Sequence, residues 1–175
     1  MTIFDGVRKG DVALAVATTG LGVALMIANV LAGPGDGTRV DSHSWLLLPV
    51  FAAATVPVLW RRRSMPAVLG VTAVALAVHV LAFGWLVRCG AGLPLAFVLA
   101  YSAGRLMAGR TPWLGLAAVT GIQFLVLVRD SAAGLEIIPV TALIGAAAWG
   151  VGVWLRQRAT RSASVSVPAP TVAHA

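Results

Sequence analysis

The sequence predicts an all-α integral membrane bundle of about six transmembrane helices with cytoplasmic N- and C-termini. Three observations predict it. First, 59% of the 175 residues are hydrophobic before glycine is counted and only 11% are charged, against about 45–50% and about 25% in an average soluble domain. Second, the apolar residues fall into six runs near the roughly 20 residues that a helix needs to cross a hydrocarbon core of about 30 Å. Third, the basic residues cluster at alternate gaps between those runs. The composition also excludes a disordered chain, which is poor in apolar residues and rich in charge. A disulfide-stapled domain is excluded because Cys89 is the only cysteine.

The six runs are Val12 to Leu31, Trp45 to Trp60, Ala67 to Val87, Leu93 to Met107, Pro112 to Val128 and Ile138 to Leu155. Residues 1–11 form an N-terminal segment, 12–158 the membrane domain, and 159–175 a disordered cytoplasmic tail rich in Ser, Ala, Val and Pro. The second and fourth runs are short, which a thinned bilayer or snorkelling arginines accommodate. None has the alternation of a membrane β-barrel strand. Proline at a helix's first turn loses no hydrogen bond, and Pro66, Pro94, Pro112 and Pro139 each fall where a span begins. Ser64 and Thr111 precede two of them as N-caps. Pro57 lies inside the second run and predicts a bend there. Trp45, Trp60, Trp85, Trp113 and Trp154 sit near span ends, as an aromatic belt requires. Arg8 and Lys9 before the first run resemble a signal peptide, but its apolar stretch exceeds the about 7–15 residues of such a segment and reads as a span.

Short loops rich in Lys and Arg stay on the cytoplasmic side. With the N-terminus inside, that side collects Arg8, Lys9, Arg61, Arg62, Arg63, Arg105, Arg110, Arg156, Arg158 and Arg161. The outer side holds Arg39, Arg88 and Arg129, with Asp36, Asp41, Asp130 and Glu136. The formal charge of +7 therefore points to anionic membrane lipids, and not to nucleic acid, because its carriers sit at the ends of apolar runs. The crowding of Arg, Ala, Val and Gly suggests a bacterial source, and with it the plasma membrane.

Polar residues within spans are the first suspects for function, because hydrocarbon penalises them unless they are paired. His79, Gln123, Tyr101 and Ser102 are those suspects, as sensing groups or as interhelical hydrogen bonders. His79 shares a face with Thr72, Ala75 and Ala82, which reads as a neutral imidazole bonded across a helix contact. Asn29 needs no special role. No span carries an acid at mid-depth, which argues against an ion-coupled transporter. Arg61, Arg62, Arg63, Arg105, Arg110 and Arg156 face cytoplasmic lipid or a partner, although topology alone accounts for the triplet. Ala142, Ala146 and Gly150, and Ala24, Ala28 and Ala32, form small-residue faces suited to close helix approach, within the chain or in a homodimer. His43, His79 and His174 have no metal-site spacing, no nucleotide loop or nucleophile motif is present, and neither cofactor nor catalysis is expected.

The stretch Pro57-Val-Leu-Trp-Arg-Arg-Arg-Ser-Met-Pro66 resembles the N-terminal membrane domain of two-component sensor histidine kinases, as found in actinobacteria. Leu99-Ala-Tyr-Ser-Ala-Gly-Arg105 is similar to a second stretch of that family, and Trp154-Leu155-Arg156 matches the point where its last helix leaves the membrane. The resemblance covers roughly Val12 to Arg158. It implies a sensory or signal-input module acting on a cytoplasmic kinase or response regulator. The departure is the segment after Leu155, which carries neither a phosphoacceptor histidine motif nor a nucleotide lid, so no kinase activity is expected of this chain. A remnant that has lost its kinase is equally compatible. The alternative from another class is a small transporter or channel subunit.

Overall fold

The computed structural model describes residues 6–33 and 37–165, with side chains to 162. Among them every regular element is helical: α1 (Lys9–Leu31), α2 (Leu47–Thr55) continued by a 3-10 helix (Val56–Trp60), α3 (Met65–Phe83), α4 (Cys89–Leu106), α5 (Thr111–Leu127) and α6 (Ile138–Val165). Four helical stretches, Lys9–Leu31, Met65–Phe83, Cys89–Leu106 and Leu135–Ser162, are long and apolar enough to cross a membrane. Leu47–Trp60 and Thr111–Leu127 are apolar but shorter. This composition is compatible with a membrane protein.

Successive helices alternate in direction, so their ends gather at two poles. Asp11 at the start of α1 meets Arg61 after α2 and, through Arg61, Ser102 near the end of α4. At the other pole Asn29 near the end of α1 meets Val87, and Asp130 after α5 meets the start of α4. Along the helices, side chains sort by polarity in the sense expected of helices in lipid. Thr18, Asn29, Thr55, Thr72, His79, Ser102, Gln123 and Thr141 are buried, whereas Val71, Val74, Val78 and Leu81 form an exposed stripe along α3. Its buried face, Val68, Leu69, Thr72, Leu76 and His79, has the same helical period and packs on the core of Phe51, Leu95 and Leu99.

Several expectations need correction. The tail is not irregular from Ala159, because α6 runs on to Val165. The residues there are helix-tolerant and the first proline is Pro168, which lies outside the described residues with Asp36 and His174. The fourth span begins at Cys89, so Pro94 is inside α4 rather than at its start, and the Gly90 carbonyl goes without an i+4 donor. Ser64 occupies the N-cap of α3 without a side-chain bond. The N-cap of α5 is Arg110, and Thr111 instead donates back to the Ala108 carbonyl. At Pro57 the α-helical pattern of α2 tightens into the 3-10 helix.

The close helix contacts also fall elsewhere than the alanine stripes. In α1 the packing face is Gly22, Met26 and Asn29, while Ala24 and Ala28 are exposed. In α6 the close approach is at Gly152. A Cβ there would lie 2.3 Å from the Tyr101 carbonyl oxygen, and one on Gly104 would lie 2.2 Å from that of Trp149. The α4 and α6 backbones therefore touch, an approach open only to glycine. Gly104→Ala is expected to cost about 1–3 kcal/mol through backbone displacement. Gly70→Ala, with nothing within 4 Å of the added carbon, is expected to leave stability unchanged or slightly raised. Thermal melts in one detergent check both, and equal melting temperatures would remove the α4–α6 contact from the account.

Candidate functional site

The two poles carry different chemistry. At the pole of Arg61, the Asp11 carboxylate is fully buried in the first turn of α1, where the helix dipole favours a negative charge. It accepts the Arg8 backbone N–H at 3.1 Å, Arg61 Nε at 2.7 Å and Arg62 Nε at 2.9 Å. Arg61 Nη1 then donates to Ser102 Oγ at 3.1 Å, and Arg105 Nη1 donates to the Tyr101 hydroxyl at 3.2 Å. Arg61, Arg62, Tyr101, Ser102 and Arg105 together line a polar cavity of about 190 Å³. Its floor, Ser102, is buried, and its rim, Arg62 and Arg105, is exposed. Arg63 lies outside it, beside Trp60 and Ser64 in a separate apolar groove. Arg110 is exposed at the head of α5, and Arg156 is half-buried on α6 with Nη1 enclosed and unbonded. Topology is thus an incomplete account of the arginine triplet, two of whose members are fixed by an acid 50 residues away.

At the opposite pole Arg88 is fully buried. Its guanidinium donates to His79 Nδ1 at 3.1 Å, to the Arg129 carbonyl at 2.7 Å and to the Gly84 carbonyl at 2.5 Å. A guanidinium offers no acceptor, so Nδ1 must be the acceptor and the His79 proton resides on Nε2. The His79 ring sits between Phe51 and Phe83, with centroids 5.4 and 5.0 Å away, and not on a small-residue face, since Ala82 is exposed. Nε2 is buried and closes no hydrogen bond.

Asp130 spends its carboxylate on backbone. Oδ2 accepts the N–H groups of Arg88 and Cys89 at 2.6 and 2.7 Å, and Oδ1 those of Ala132 and Ala133. It therefore caps α4 from another loop. Asn29, expected to be idle, pairs reciprocally with the Val87 backbone at 2.9 and 3.0 Å. Asp41 binds the Trp85 N–H at 3.0 Å and Arg39 at 2.7 Å. Those two contacts, the Trp85 N–H foremost, hold its carboxyl below the usual aspartate range. Gly84 ends α3 with φ +67°, and a Cβ there would meet Asp41 Oδ2 at 2.5 Å.

The remaining suspects do not join either cluster. Gln123 donates to the Thr141 carbonyl at 3.0 Å between α5 and α6, with Oε1 unbonded. Nearby, Trp149, which was not among those suspects, is half-buried, donates to the Pro112 carbonyl and lies tilted against Trp113. Among the described residues no three His, Cys, Asp or Glu side chains converge as metal ligands would. Sequence reasoning missed Asp11, Arg88 and Asp130 as site residues. The available signal was an acid one turn into an apolar helix, and charges retained between spans.

No protein-family model, curated protein or solved structure matches the chain. The site therefore stands on its own geometry. Asp11→Asn is expected to destabilise the protein by about 1–3 kcal/mol, because it leaves two guanidiniums with a weakened partner. The cost stays below that of a wholly buried pair because the Arg62 side chain is 34% exposed. Chemical denaturation in detergent measures it, and a loss no larger than that of Asp41→Asn would contradict the anchoring role.

Proposed function

We propose that the chain is a non-catalytic, six-crossing protein of a bacterial plasma membrane, with both termini cytoplasmic, that works as a signal-input module. A stimulus shifts the helices and α6 carries the shift to a cytoplasmic kinase or response regulator. The observation that carries this reading is the continuity of α6. Its 28 residues span about 42 Å at 1.5 Å per residue, outreaching a hydrocarbon core of about 30 Å. One rigid helix thus joins the Gly104–Gly152 contact in the bundle to the polar segment bearing Arg156, Arg158 and Arg161.

The alternation of the helices and the collection of ten basic residues at one pole support six crossings with that pole inside. The two short stretches remain compatible with this count. Leu47–Trp60 covers about 23 Å, and the Trp60, Arg61, Arg62 and Arg63 ledge brings polar groups to a locally thinned interface. A small channel or transporter is the second reading. Its support would be one path lined by His79, Gln123 and Tyr101, but they occupy three separate environments: a ring-packed contact with Arg88, the α5–α6 interface and the rim of the arginine cavity. A signalling shift also requires two helix arrangements with different affinity for the stimulus, and the arginine cavity offers a place for such a difference.

Affinity isolation of the full chain from native membranes tests the reading. A histidine kinase or response regulator is expected in the isolate, depleted when Arg156 and Arg158 are both changed to Ala. Recovery of neither, with ion or solute flux through proteoliposomes of the purified chain, would overturn it in favour of the channel.

A further inference from the structure

We propose that the cavity between the Arg61–Arg62 turn and the last turn of α4 binds a phosphate-bearing anion. This deepens the reading above by giving the input module a ligand class, but the cavity's chemistry holds whichever side of the membrane it faces.

The first ground is charge. Three guanidiniums, from Arg61, Arg62 and Arg105, line the cavity, and Asp11 is the carboxylate paired with two of them. Three positive charges against one negative leave a surplus of two, beside an apolar bundle that screens them less than bulk water does. An anion of one or two charges offsets that surplus.

Donor geometry is the second ground. Asp11 engages Arg61 and Arg62 through their Nε edges, which fixes both planar forks. The Nη groups of Arg62 close no hydrogen bond with a described residue, and Arg61 uses Nη1 alone, on Ser102. Held at its Nε edge with both Nη groups open, Arg62 is preorganised for bidentate recognition of phosphate oxygens, and Arg61 keeps Nη2 for a further contact. The hydroxyls complete the set. Ser102 Oγ accepts from Arg61 and the Tyr101 oxygen accepts from Arg105, so each O–H proton is left to donate. Every polar side chain lining the cavity thus has a donor to offer. Side chains rich in donors favour a ligand rich in acceptors, and a phosphate offers acceptor oxygens.

Access is the third ground. Arg105 is exposed while Ser102 is buried, so the cavity opens at the bundle's end, at the level of phospholipid headgroups or of the adjoining water. Basic pockets at this level hold anionic headgroups; free phosphate offers the same oxygens.

The test uses the full chain purified in a neutral detergent. Inorganic phosphate is titrated at constant ionic strength against chloride, and retention of phosphatidylglycerol is compared with that of zwitterionic phosphatidylcholine by native mass spectrometry. Saturable phosphate binding, or preferential retention of phosphatidylglycerol, is expected. The first alone identifies a soluble phosphate, and the second a headgroup. Arg105→Gln at the exposed rim is expected to weaken the bound probe by about tenfold or more, and Tyr101→Phe by several-fold, while Arg39→Gln at the opposite pole changes nothing. Thermal melts of each variant establish that it is folded. Phosphate no better than chloride together with equal retention of the two lipids would overturn the proposal, as would unchanged binding by folded Arg105→Gln. Binding that persists while no kinase or regulator is recovered would sink the signalling reading and leave the site standing.

Discussion

Helices whose outer faces are Val, Leu and Trp must find partners for every polar group among themselves, because hydrocarbon supplies none. Among the described residues the buried side chains follow it except at three atoms, His79 Nε2, Gln123 Oε1 and Arg156 Nη1. Backbone groups are met by the helices, and buried side chains are met mostly by the backbone of neighbouring turns: Thr72 on the Ala54 carbonyl, Gln123 on the Thr141 carbonyl, Asn29 on Val87. The buried charges, Asp11, Arg88 and Asp130, lie at the two poles and are tied there. Asp130 clamps the head of α4 and Asp11 clamps the arginine turn, each a carboxylate held by donors from distant parts of the chain.

Helix α4 connects the parts of the account. Its first turn is capped by Asp130, and its last turns hold Tyr101, Ser102 and Arg105 against the arginine cavity. The same last turns meet α6, since a Cβ on Gly152 would press on the Tyr101 carbonyl and on the Arg105 amide nitrogen at 2.9 Å. The cavity and the α6 contact share one stretch of backbone. An anion bound as proposed would touch Arg105, the residue whose amide nitrogen lies 2.9 Å from where a Cβ on Gly152 would stand.

Much of the fold was legible in the sequence because hydrophobic runs and prolines are local signals. Pro66 and Pro112 sit in the first turns of α3 and α5, and the apolar runs mark the helices to within a few residues except at the end of α6, which runs ten residues past Leu155. Pro94 misled because a helix can extend N-terminally past a proline when another loop supplies the cap, and Asp130, which supplies it, is 41 residues from Cys89. The site was less legible for the same reason. Arg61 and Arg62 were visible as a cluster, and Tyr101, Ser102 and Arg105 as neighbours on a helix, yet nothing local joined them. Asp11 read as part of an N-terminal segment, and only the fold brings it to the arginines. His79 was identified as buried, but its partner, Arg88, looked like an outer-loop charge until the chain folded back on it.

The central claim is that the exposed apolar faces are solvated by lipid. Nitroxide labels placed one at a time at Val71, Val74 and Val78, and at buried Thr72 and Leu76, in a Cys89→Ser chain reconstituted into vesicles, measure this most directly. The account predicts that the first three are open to lipid-dissolved oxygen and closed to a water-soluble nickel complex, with the last two closed to both. Nickel access at Val71, Val74 and Val78 equal to that at the exposed loop residue Arg39 would place that face in water and contradict it.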